Sequence, residues 1–180
     1  MNAPEPYLAA HPTVTRMRLF HRDLVEIRHE LHRHPELGFE EHFTAELVAR
    51  ELTRYGVDAV HRGVGRTGVV AVIRGRTDTS GRRIGLRADM DALPIAEENR
   101  FEHRSTHAGV MHACGHDGHT TMLLGAARYL AQSPEFNGTV DATYITGIGD
   151  VQTGDTTRML ILMDIERLMQ SPDMGLTDIG

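Results

Sequence analysis

The chain has 180 residues, 40% of them hydrophobic, a formal net charge of −6 and a pI near 6.0. That is enough apolar material for one domain with a buried core, and without any basic cluster it argues against nucleic acid or an anionic membrane as the main partner. No stretch approaches the roughly 20 consecutive apolar residues of a membrane span. The single cysteine excludes an internal disulfide, and the N-terminus has no charged region leading into an apolar run, so the expected setting is cytoplasmic.

Residues 1–12, with Pro4, Pro6 and Pro12, read as a loose leader. From Val14 the spacing of Met17, Phe20, Leu24, Ile27 and Leu31 predicts one helix that Pro35 ends. His29, His32 and His34 lie off its apolar stripe and are expected to be solvated or capping. A second helix is predicted from about Glu40, with Glu40 and Glu41 at its positive start. Its buried stripe is Phe43, Leu47, Val48, Leu52 and Tyr55, and Gly56 stops it. The period then changes. Asp58 to Val64, Thr67 to Arg74 and Arg82 to Asp89 read as strands, and the run GVVAVI within the middle one is apolar throughout and so expected to be covered on both faces. A later helix is predicted from about Gly118 to Ala131, with Leu123, Ala127 and Leu130 inward. The fold class is α/β, a layered sheet with helices on its faces.

Two stretches carry chemistry. In RADMDALP, Asp89 and Asp91 alternate onto one face at the carboxyl end of a strand, where open α/β sheets place their ligand crevices. In MHACGHDGHT, residues 111–120, an extended backbone would point His112, Cys114 and His116 into one cavity, a thiolate and imidazoles suited to zinc or a similar ion. Asp117 would cap the following helix and stand behind His116, fixing that ring's tautomer.

RHELHRHPELGFEE, LRADMDALPI and MHACGHDGHT together resemble, in order and spacing, the N-terminal part of the aminoacylase-type dimetal peptidase and amidohydrolase family. The similarity is greatest to its hippurate, N-acyl-amino-acid and indoleacetyl-amino-acid hydrolase branch, and runs from about Leu24 to Val140. The resemblance implies a zinc-peptidase-like catalytic domain holding two zinc or manganese ions and cleaving the amide bond of a small N-acyl amino acid. Cys114 and His116 then match two metal ligands, and Asp91 an active-site aspartate that supports the metal centre. The implied mechanism has two ions about 3.5–4 Å apart acidifying a bridging water, with a glutamate taking its proton.

After Val140 the sequence departs from that pattern. No QPAEE-like acidic pair follows, all twelve histidines lie at or before His119, and the remaining glutamate, Glu166, falls in a run from Arg158 to Met169 that reads as a short helix. The expected organisation is therefore a partial catalytic domain over 1–140 and a divergent segment over 141–180, truncated or frame-shifted, with at most one metal ion held. Two functions stay open: a metal-dependent amidohydrolase, and a non-catalytic fragment that binds metal or associates with itself as a homo-oligomer.

Overall fold

The computed structural model describes residues 11–145, together with the backbone of 149–153 and 156–160. The chain divides into two compact units, 1–146 and 147–180. In the first, helices α1 (Pro12–Arg18), α2 (His21–Arg33) and α3 (His42–Tyr55) precede strands β1 (Ala59–Val64), β2 (Gly68–Arg74) and β3 (Arg83–Asp89). Helix α4 (His116–Ala131) then leads to β4 (Thr139–Ile145). The sheet order is β1-β2-β4-β3; β4 runs antiparallel to β2 and parallel to β3, so α4 lies in the crossover that a parallel pair requires.

The helix predicted as continuous from Val14 is two helices. The amides of Leu19 and Phe20 close short turns onto Arg16 and Met17, and the break turns Phe20 inward while Leu19 stays exposed. Phe20 lies beneath the Arg128 guanidinium, 4.4 Å from the ring centroid, and Arg128 also donates to Asp23 at 2.7 Å. Helix α3 begins at His42, and Glu36, not Glu40 or Glu41, serves its start. The Glu36 carboxylate accepts the amides of Phe43 and Thr44 at 2.9 Å each. Glu41 is instead fully buried and accepts from the Thr67 hydroxyl at 2.5 Å. Gly56, at φ 78°, closes the helix as expected.

One core joins Leu31 of α2, Leu47, Val48 and Leu52 of α3, and Leu124 and Ala127 of α4 to Val69, Ala71, Ile73, Val140, Ala142 and Tyr144 of the sheet. The alternation along β2 corrects the two-sided reading: Val69, Ala71 and Ile73 are buried, whereas Val70 and Val72 on the other face are half-exposed. Helices α2 and α4 approach closely at Gly125, where a Cβ would stand 2.9 Å from Leu24 Cδ1.

In the second unit β5 (Gly149–Thr153) and β6 (Thr156–Leu160) pair antiparallel. Arg158 and Met159, predicted helical, are therefore in a strand; Glu166 and the rest of that run lie outside the described residues. Among the described residues no helix is long and apolar enough to cross a membrane.

Candidate functional site

The three stretches that carry the family resemblance come together near the carboxyl end of β3. Past Asp89 the backbone turns under α2's loop, where the Ala92 amide donates to the Glu36 carbonyl at 2.7 Å. Leu93 and Met111 then exchange both backbone hydrogen bonds at 3.0 Å, pinching the intervening loop at its neck. The loop is tied back to α2 as well: the Thr106 amide and hydroxyl donate to the Arg33 carbonyl, and His107 Nδ1 is 2.9 Å from the Pro35 carbonyl.

The segment after Met111 is not extended. Ala113 and Cys114 form a turn, Gly115 stands at φ 79°, and His116 is the first residue of α4. The left-handed conformation, open to glycine without strain, starts the helix two residues before its predicted origin. The cysteine and the histidine therefore flank the N-cap and do not sit on one strand face. Cys114 is exposed. His116 is half-buried, with Nδ1 held by the Asp91 carbonyl at 2.8 Å and the Asp91 carboxylate at 3.1 Å. Both hydrogen bonds fall on Nδ1, which makes it the donor and leaves Nε2 as the lone-pair nitrogen. Asp89, predicted to share Asp91's face, pairs instead with Arg87 at 2.9 Å.

Asp117 does not stand behind His116, and it is not the N-cap, although the Gly118 backbone amide in the first turn of α4 helps to stabilise its carboxylate. Gly115 occupies the N-cap with no side-chain cap, and the Asp117 carboxylate, 1% exposed, faces α2. Its Oδ2 is 2.9 Å from His32 Nδ1 and 3.2 Å from Arg28 Nε. Burial works against ionisation here, but the His32 hydrogen bond and the nearby His112 and Arg28 outweigh it and hold the carboxyl below its ordinary range.

His32, expected to be solvated, is buried and reaches Glu97 Oε1 with its other nitrogen at 3.1 Å. Its position follows from Arg28, one helical turn earlier on the same face of α2, a spacing that the sequence displays. Glu97 lies in the run AEENR, which has no period to mark it, yet its side chain is 3% exposed. His34 fits the capping expectation, since its Nδ1 lies 2.9 Å from the Glu30 carbonyl near the end of α2. His29 stacks on His103 at 3.7 Å, and Phe101 covers the other side of that ring at 4.2 Å.

His112 is 4% exposed and neither ring nitrogen has a hydrogen-bond partner among the described residues. Burial, with the neighbouring His32 and His116 adding to it against the pull of Asp117 and Asp91, brings its pKa down to about 4.

Residues 85–146 match the model of Peptidase family M20/M25/M40. Over that stretch the chain is similar to M20-family sequence. It is 53% identical over 116 residues to a hippurate hydrolase of Campylobacter jejuni, covering 64% of this chain and 29% of that one. It is 50% identical over 110 residues to an N-acyl-L-amino acid amidohydrolase of Geobacillus stearothermophilus, covering 61% and 29%. The likeness extends to the fold: a dinuclear metal-binding M20 peptidase of Bacillus subtilis superposes with a TM-score of 0.66 at 40% identity, over 71% of this chain and 35% of its own. The chain thus spans less than a third of the length of these two curated M20 relatives.

The site fits a divalent ion in kind. A His116 ring locked through Nδ1 presents Nε2, and Cys114, two residues earlier, is exposed with a free thiol, a nitrogen and a sulfur of kinds that borderline-soft ions accept. In number it falls short. Among the described residues no three of His, Cys, Asp and Glu are arranged to hold a metal ion.

Proposed function

We propose that this chain supplies the Cys114–His116 part of an M20-type metal centre in a hydrolase of the amide bond of N-acyl amino acids. The observation that carries the reading is the pair of hydrogen bonds that His116 Nδ1 donates to the Asp91 carbonyl and carboxylate, at 2.8 and 3.1 Å. A carboxylate and a carbonyl on one imidazole nitrogen set the tautomer that a metal-binding histidine needs. The kinship with enzymes named for hippurate and N-acyl amino acids supplies the substrate class, a small acylated amino acid.

In this reading Cys114 and His116 hold zinc or manganese, and Asp91 keeps the His116 proton on Nδ1 and the ring aligned. When bound, the ion would supply Lewis acidity and an acidified water. A catalytic zinc takes about three protein ligands, so the remaining donors and a general base must come from outside the described residues. That shortfall favours a second reading, a non-catalytic segment that grips metal through two donors.

Equilibrium dialysis against zinc and manganese, followed by hydrolysis of an N-acyl amino acid, separates the two. The first reading expects metal to be retained by the native chain and released by Cys114→Ser. It expects Asp91→Asn to weaken binding about 10- to 100-fold, and turnover to follow metal content. Retention without turnover at any loading leaves the second; a chain that retains neither ion overturns both.

A further inference from the structure

We infer that His32 is a positioning residue: its imidazole, held between two buried carboxylates, straps the loop after β3 to the first turn of α4 and thereby sets where His116 stands. The consequence for function rests on the proposed reading of His116; the strap itself rests on geometry alone.

His32 is 7% exposed and projects from α2 between Asp117 on one side and Glu97 on the other, at 2.9 and 3.1 Å. A ring that meets a carboxylate oxygen at each nitrogen ties the two carboxylates together. The chain of contacts continues past each carboxylate. Glu97 Oε1 also accepts from the Asn99 amide at 3.0 Å, and Oε2 takes the Ser105 backbone amide at 2.5 Å, which holds the loop. Asp117 belongs to α4 and follows His116 directly, and Arg28 reinforces it from the same helix face as His32. Three segments far apart in sequence are thus connected through one ring.

His116 is consequently located twice. Asp91, beyond the end of β3, fixes its ring, and the residue after it is fixed by α2. A buried carboxylate that loses its partner is destabilised, which Asp117 would relieve by moving toward other donors. Any such shift turns the first turn of α4 and draws His116 off Asp91.

The test uses the full chain without metal or substrate. Amide hydrogen exchange reads the two ends of the strap, at Ser105 and at Gly118 and His119. The 15N spectrum of the His116 ring reads which nitrogen carries its proton. In His32→Leu both ends should exchange at least tenfold faster, and His116 should lose its single Nδ1–H signature. His32→Gln presents its N–H donors from a single nitrogen and cannot reach both carboxylates. With that amide on Asp117, the α4 end and the His116 signal should return toward the native values while Ser105 stays fast.

An unchanged His116 signal in His32→Leu, or faster exchange spread evenly over the whole core, would overturn the proposal. If His32→Leu does not fold, His32→Gln decides: a fast Ser105 end beside a protected α4 start supports the strap, and any other pattern overturns it. Absence of bound metal or of turnover bears on the hydrolase reading and leaves these measurements untouched.

Discussion

An imidazole with both nitrogens buried and unpartnered is costly, and among the described residues His112 has no hydrogen-bond partner at either nitrogen. Its pKa of about 4 in the fold, against 6.5 ordinarily, means that the unfolded chain binds the proton first on acidification. Stability therefore rises with pH across that interval and is lost below it. For the metal-free chain we predict that the unfolding free energy, from urea titrations, declines as pH drops from 6.5 toward 4, His112 contributing on the order of 3 kcal/mol. His112→Leu should flatten that part of the profile. An equally steep decline in the variant would show that other groups bind the proton. The same scale exposes how pairing escaped the sequence. Asp91, Cys114 and His116 stood out through their motifs, but nothing in residue order says that Asp91 serves His116 and that Asp117, its immediate neighbour, serves His32.

At the scale of elements, local rules read well and their exceptions have local causes. The stripe of α3 and its glycine stop were legible, and all of the stripe except Phe43 is buried. Its start was not, because the acceptor comes from Glu36, six residues before His42, across the turn at Gly38 and Phe39. Replacing Glu36 by Ala should cost about 1–2 kcal/mol, the usual range for a lost cap, measurable as a lower urea midpoint. Glu36→Gln, which retains an acceptor oxygen, should recover part of it. A variant as stable as the native chain would mean that solvent serves those amides equally well. The extended reading of residues 112–116 failed for a comparable reason: Gly115 takes the left-handed conformation from which α4 begins, and residue type alone does not separate a bend from the first turn of a helix.

At the scale of the molecule, the α/β layering followed from periods of 3.6 and 2, while the assembly of the site did not. It depends on contacts between α2, the loop after β3 and the start of α4, and side chains such as His32 and Glu97 join them without leaving a pattern in their own segments. The apolar stripe made His32 look external; what makes it internal is a loop folded over the polar side of that helix.

The backbone pairing of Leu93 with Met111 has one more implication. Arg100 and Arg104 lie exposed in the loop above that neck and invite trypsin. A single cut there severs the polypeptide but frees neither piece, because the seam below remains hydrogen-bonded and β3 remains zipped to β4. Nicked material should therefore migrate as one species on a native gel and as two in denaturant. Early dissociation would reveal that the covalent link, rather than the seam, holds the two sides together.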